Sequence, residues 1–333
     1  MMTPPKLCLH ATSAHGSERQ NSAHRFPKFA HRHKTFPVAK PRPVYAPSGI
    51  VSLRQHLAPT MRDMAISSAS RSHVRLLGVP WDGNSSFLRG AAQGPGKIRE
   101  AIQCDASNSW SETGIDTSIR DVFGDAGDVE FGSGGDWFAQ TETKAGKLAA
   151  ECKPLFLGGD HSVTYPLVSG MSRKWPKLTV VHFDAHPDLY EEFGNNRYSH
   201  ASPFARILEE KLAARLIQVG IRTMNAHQRE QASKYDVEVY RMGNEVNFAE
   251  MEITGPVYIT VDLDVLDPAF GPGVSHREPG GMSVRELIGH LHAIPGHIVG
   301  ADLVEFNPER DMDGMTATVC AKLVKELVGV MVR

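Results

Sequence analysis

Three strong metal-ligand types, Asp184, His186 and Asp188, crowd into five residues after the apolar run that ends at Phe183 in the stretch VVHFDAHPDLY (180–190). A turn with no chemical duty is made more cheaply from Gly, Asn or Ser, which satisfy the backbone without gathering negative charge. Two other short stretches carry the same residue types: GGDHS (158–162), with His161, and VDLD (261–264), with Asp262 and Asp264. The six side chains comprise two imidazoles and four carboxylates, a formal charge of −4 with the histidines neutral. Two divalent cations balance that charge, whereas one leaves two negative charges unpaired where desolvation is costly. Alternate residues of an extended segment face one side, so Asp184 with His186, and Asp262 with Asp264, can each aim two ligands into one cleft. Mixed imidazole and carboxylate ligands argue against Ca2+, and the absence of thiolates argues against structural zinc. Mn2+ is the best fit, with Co2+, Ni2+ and Fe2+ as alternatives. Taken singly, a strand-end DxD is as well explained as a helix cap and a lone loop His as a hydrogen-bonded residue. Three such motifs at matching positions call for a binuclear centre.

The elements that must position them can be read from the apolar runs. VRLLGVP (74–80), KPLFLGG (153–159), LTVVHFD (178–184), RLIQVGI (215–221), PVYITVDLD (256–264) and HIVGADLVEF (297–306) are short and β-rich, and each is bounded by Gly, Pro or Asp. Helix-like segments lie between them. In SPFARILEEKLAARL (202–216), Phe204, Ile207, Leu208 and Leu212 recur at helical spacing. SVRELIGHLHAI (283–294) opens with Ser283 three residues before Glu286, a capping-box signature. Near-continuous apolar strands alternating with helices predict an α/β fold with a parallel sheet covered on both faces. Ligands in such sheets gather beyond the carboxyl ends of the strands. His161, Asp184, His186, Asp262, Asp264 and Glu305 all fall there. The polar, Gly-rich segment 105–147 reads as surface elaboration.

On these motifs the sequence resembles the ureohydrolase family, binuclear manganese enzymes that include arginase, agmatinase and formimidoylglutamase. The signatures are GGDHS, FDAHPDLY (183–190) and VDLDVLDPAFGPG (261–273), and the likeness runs from LGVPWDGNSSFLRGAAQGPGKIREAI (77–102) through DAGDV (125–129) to GADLVEFNPERDMDGMTA (300–317). NNRYSHASPFARI (195–207), VGIRTMN (219–225) and PGVSHREPGGMS (272–283) look most like plant-type arginases. The resemblance implies a three-layer α/β/α sandwich with a mainly parallel sheet of roughly eight strands. It implies that His161, Asp184, Asp188 and Asp262 hold one Mn2+ and that Asp184, His186, Asp262 and Asp264 hold the other. It further implies His200, in YSHAS, as a proton shuttle, Glu305, in VEFNP, as the carboxylate that grips a guanidinium group, and a homotrimer or homohexamer as the assembly. Asp264 would pass a proton to the departing amine.

The expected reaction is hydrolysis of a guanidino substrate, L-arginine to L-ornithine and urea, with agmatine as the alternative substrate. The substrate's tail is where the chain departs from animal and bacterial arginases. It reads EEFGNNRYSH in place of their carboxylate-binding loop, and Asn225 stands where they place an aspartate. Asn195, Asn196 and Arg197 are the candidate carboxylate contacts, with Arg197 the electrostatic partner. An inactive metal-bearing regulatory subunit would show a broken ligand set, and all six ligands are present. A deacetylase of the same broad fold would use one zinc with fewer carboxylates.

The bulk numbers are ordinary for a soluble globular protein. Of 333 residues, 41% are hydrophobic and 22% charged, and no apolar stretch approaches the ~20 residues of a membrane span. The four cysteines form no CxxC pair, which fits a reducing compartment. Residues 1–62 hold ten Lys or Arg against the single acid Glu18, with many Ser, His and Pro. That composition reads as an organellar transit peptide, mitochondrial or alternatively plastid, ahead of a catalytic domain over 63–333. The other reading, a basic tail with weak charge-driven affinity for nucleic acid, lacks the aromatic or glycine pattern of a nucleic-acid module.

Overall fold

The computed structural model describes residues 74–132 and 134–333. The expected transit peptide and its boundary with the catalytic domain lie outside the described residues. Eight strands form one sheet: β1 (Val74–Gly78), β2 (Phe123–Asp128), β3 (Lys153–Leu157), β4 (Leu178–Phe183), β5 (Ala213–Ile221), β6 (Glu238–Arg241), β7 (Pro256–Asp262) and β8 (His297–Val304). Their order is β2-β1-β3-β8-β7-β4-β5-β6, and every neighbouring pair is parallel. The α/β reading of the sequence is the observed architecture. The strands that carry the ligand motifs, β3, β8, β7 and β4, are consecutive at the centre of the sheet, so their carboxyl ends open on one edge.

Both faces are buried because successive strand residues point to opposite sides. Leu155, Val181, Phe183, Ile259 and Leu303 face one core with α1 (Gly94–Ile102), α6 (Val284–Ala293) and α7 (Met315–Met331). Phe156, Val180, Tyr258 and Val299 face the other with α2 (Trp137–Glu151), α3 (Thr164–Ser172) and α4 (Pro203–Glu209). The fifth helix, α5 (Ala226–Lys234), follows β5. The capping box of α6 is formed: Glu286 N donates to Ser283 Oγ at 3.2 Å and Ser283 N to Glu286 Oε2 at 2.7 Å.

Two segments differ from the sequence reading. The helix expected over 202–216 stops at Glu209, because Lys211 turns through a left-handed φ of 56° and Ala213 already pairs with Leu178 in the sheet. The polar segment 105–147 contains an edge strand, β2, and most of α2. Most of β2 is exposed, so it has no apolar alternation to betray it.

The excursion between α1 and β2 is clasped to the last two helices by charge. Glu112 pairs with Arg285 at 2.6 Å and Lys322 at 3.0 Å, while Glu326 accepts from Lys322, His292 and the Glu112 backbone N–H. Arg285, and after it Lys322, hold the Glu112 carboxyl down at about 2, against an ordinary 4.5. A depressed carboxyl stabilises the fold fully above its unfolded pKa and loses that contribution as pH falls through its folded one. The difference in Tm between wild type and Glu112→Gln should therefore be constant above pH 4.5 and close toward pH 2. Because the pair is exposed, the difference should also shrink in high salt. A thermal melt series in pH and NaCl measures both.

Candidate metal centre and substrate cavity

Each ligand motif sits where its strand ends. After β3 the chain runs through Gly158 and Gly159 into a short 3-10 turn that starts at His161. Gly159 is obligatory: a Cβ there would lie 1.9 Å from the carbonyl oxygen of Trp81. That close approach lets Asp160 N donate to Trp81 O and Glu305 N to Gly159 O, at 2.9 and 2.8 Å, which ties the His161 turn to the end of β8. Asp184 is the first residue after β4, and Asp262 ends β7 and accepts from Asp264 N at 2.9 Å. Arg222 clamps the turn at Asp264, donating to the carbonyls of Asp264, Val265 and Glu278 at 2.5–3.2 Å. Asp188 (φ 47°) and Glu305 (φ 64°) both have left-handed backbones.

These turns bring all six expected ligands together. His161, Asp184, Asp188 and Asp262 form one group whose ligand atoms lie within 4.8 Å of one another, and Asp184, His186 and Asp264 form another. Asp184 is common to both, and Asp262 joins the first only. His161 Nδ1 stands 3.3, 3.0 and 3.2 Å from carboxylate oxygens of Asp184, Asp188 and Asp262, yet it is buried with no hydrogen-bond partner. His186 Nδ1 is 2.9 Å from Asp264. An imidazole nitrogen aimed at three oxygens without a hydrogen bond is the geometry of ligands converging on a cation, and the donor set of neutral imidazoles and carboxylates suits a divalent one. The donors fit such a group.

The charge balance agrees. Burial and then the neighbouring Asp264 and Asp184 carboxylates push Asp262 well above the ordinary carboxyl range. Burial and then Asp184 push Asp264 up to about 6. Burial opposes charge on His161 and His186 too, but the surrounding carboxylates overcome it and raise both. The cluster draws positive charge into itself, the property that binds cations. Behind it, His161 Nε2 is 3.1 Å from the Thr260 hydroxyl, which orients the ring.

Above this cluster lies a cavity of about 200 Å3, lined by His186, Asp188, Asp262 and Asp264 on the floor and by Glu305, His200, His276, Ser86, Tyr190, Phe193, Ala201, Thr223 and Gln228. Glu305 and His200 are paired: Glu305 Oε1 accepts from His200 Nδ1 and from His161 N, each at 2.9 Å, and Ser86 Oγ lies 2.8 Å from His200 Nε2. Burial opposes a charge on His200, but the Glu305 carboxylate prevails and pushes it up to about 9. Asn195, Asn196, Arg197 and Asn225 do not line the cavity. Asn225 caps α5 and donates to the Tyr190 hydroxyl at 2.7 Å, Asn196 donates to Asn84 and bridges to Phe193, and Arg197 pairs with Glu209. Asn195 turns through a left-handed φ of 60°.

Ser86, His276, Arg222, Thr260 and His182 carry no role in the sequence reading. Ser86 and His276 lie inside the conspicuous stretches GNSSFLRG and SHREPGG, which was the one available signal. Thr260 and His182 act from inside strands, and Arg222 acts on the carbonyls of a turn some forty residues away, contacts that spacing along the chain does not express.

Comparison with known proteins places this arrangement. Residues 72–329 match the model of the arginase family. Arginase 1, mitochondrial, of Arabidopsis thaliana is 47% identical over 276 residues, 78% of this chain and 81% of the relative. Agmatinase of Bacillus cereus is 33% identical over 272 residues, 78% of this chain and 92% of the relative. In structure, the arginase from Medicago truncatula superposes with a TM-score of 0.75 at 43% identity, covering 78% of this chain and 88% of its own. The chain belongs to the arginase family.

Proposed function

We propose that this protein hydrolyses L-arginine to L-ornithine and urea with two Mn2+ per subunit. The observation that carries the reading is Asp184, a buried carboxylate shared by two adjoining ligand groups beneath a cavity that also holds Glu305. His161, Asp184, Asp188 and Asp262 would hold one ion, and Asp184, His186, Asp262 and Asp264 would hold the other. The bound ions supply acidity, turning water into a strong nucleophile near neutral pH, as zinc does when it lowers the pKa of water to about 7. Glu305 grips the guanidinium by a charge-assisted contact and sets its orientation. The departing amine needs a proton, which Asp264 hands on and His200 replenishes from solvent. His200 is well placed for relay because both ring nitrogens are engaged, one by Glu305 and one by Ser86.

Asn225 and Asn196 shape the tail subsite through Tyr190 and Phe193, and Asn195 and Arg197 complete that loop. The lining contains no Lys or Arg. A substrate carboxylate would therefore rely on neutral donors or on the loop that carries Arg197, and agmatine, which lacks that carboxylate, is the second reading. The relatives named mitochondrial arginases and the basic residues 1–62 support a mitochondrial location, with plastid as the alternative; the homotrimer or homohexamer that the sequence resemblance implies is the proposed assembly. With Mn2+-loaded protein, kcat/KM should be higher for L-arginine than for agmatine, read as urea release. The reverse order would make the protein an agmatinase. Absence of urea from either would leave the inactive regulatory subunit.

A further inference from the structure

One buried polar pair beneath the cluster has no part in the scheme above. His182, the penultimate residue of β4, is wholly buried, with its ring against Phe204 at a centroid distance of 4.0 Å. Its Nε2 lies 2.7 Å from Asp184 Oδ2. On the neighbouring strand Gln218, also wholly buried, is the register partner of His182. Gln218 Nε2 lies 2.6 Å from the carbonyl oxygen of Pro187 and 3.0 Å from His182 Nδ1, while Gln218 Oε1 has no partner. A strand at the centre of a sheet is more stable with apolar side chains here, since buried polar groups need partners to offset desolvation.

The hydrogen bonds fix every proton in this chain. A backbone carbonyl only accepts, so the amide nitrogen of Gln218 must face Pro187. The second hydrogen of that nitrogen then points at His182 Nδ1, which must accept. The imidazole proton therefore sits on Nε2 and is donated to Asp184 Oδ2. Asp184 Oδ1 accepts from His186 N at 2.6 Å. Each oxygen of the shared carboxylate thus has one fixed donor. Each also has a free side, toward His161 Nδ1 at 3.3 Å and His186 Nδ1 at 3.5 Å respectively.

We propose that His182 and Gln218 are positioning residues for the metal centre: Gln218 fixes His182 as a neutral Nε2–H donor, and His182 aims Asp184 so that it serves both cations. The inference rests on the two-ion reading. A competing arrangement exists, because His161, His182 and Asp184 could themselves surround an ion with His182 as a ligand.

The test is titration of metal-free full-length protein with Mn2+, reading free Mn2+ by its EPR signal. Wild type should bind two ions. His182→Phe keeps the ring packing and removes the donor, and should weaken binding of at least one ion by about 10- to 100-fold, the usual effect of losing a ligand's supporting partner. His182→Gln restores an N–H donor and should recover most of that loss. Gln218→Leu should weaken binding in the same direction, and it keeps the test open if His182→Phe does not fold. The proposal is overturned if His182→Phe and Gln218→Leu bind like wild type. It is also overturned if His182→Gln loses one ion outright, since the imidazole would then be a ligand. Wild type that binds fewer than two ions overturns the two-ion reading itself.

Discussion

Replacing Asp184 by alanine should remove both bound ions and lower kcat/KM for arginine by at least about 10⁴-fold, because the acidity that brings water from a pKa of about 15.7 to about 7 is then gone. The size of the effect follows from its position. Asp184 alone belongs to both candidate ligand groups, its oxygens lie at 3.3 and 3.5 Å from the histidines of those groups, and the residue is fully buried. Loss of Asp188 should be milder, since it touches only the first group. Elemental analysis of the purified variant, with circular dichroism to establish folding, separates loss of metal from loss of structure. An Asp184→Ala protein that keeps two ions and normal turnover would remove Asp184 from the centre.

Glu305→Gln should reduce kcat/KM by about 30- to 5,000-fold, the range set by the 2–5 kcal/mol lost when one member of a buried charge pair is neutralised. The substitution keeps the shape and removes only the charge that faces the guanidinium. It also removes the strongest of the groups that raise His200. Burial opposes charge on His200 while Asp188 and Asp160 still favour it, so in the variant its pKa should fall from about 9 toward the ordinary 6.5, visible by NMR of the ring protons. The linkage has a definite sign. A histidine raised by a partner stabilises the fold fully below pH 6.5 and loses that contribution as pH rises through about 9, so the Tm difference between wild type and Glu305→Gln should be larger at pH 6 than at pH 10. Unchanged turnover would leave Glu305 as a strand-end carboxylate that merely pairs with His200.

The central strands and their ligands were legible in the sequence because there the local and global signals coincide. Leu155, Val181 and Ile259 are apolar for the sheet's two-sided burial, and after Val181 and Ile259 the acid at the strand end, Asp184 or Asp262, is also a candidate ligand. The edge strand β2 was not legible, since Phe123–Asp128 faces solvent and has nothing to alternate against. The overlong helix at 202–216 failed for the opposite reason. Leu212 continues the helical spacing while belonging to the connection into β5, so periodicity ran past the true end. In the site, Asp184 and His186 were visible as neighbours in sequence. Ser86 meets His200 across 114 positions, and Gln218 meets His182 only through strand register. Such contacts are products of folding and leave no local spacing.

The left-handed backbones of Asp188 and Glu305 bear on any attempt to harden this protein. An L side chain in that conformation costs about 1 kcal/mol, which glycine avoids altogether and asparagine tolerates well. A screen that rewards heat resistance alone would favour glycine or asparagine at Asp188, surrendering its carboxylate, whereas Glu305 is held by the hydrogen bonds it accepts from His161 N and His200. Durability and turnover are opposed at Asp188, so directed evolution of a tougher variant has to score urea release in every round.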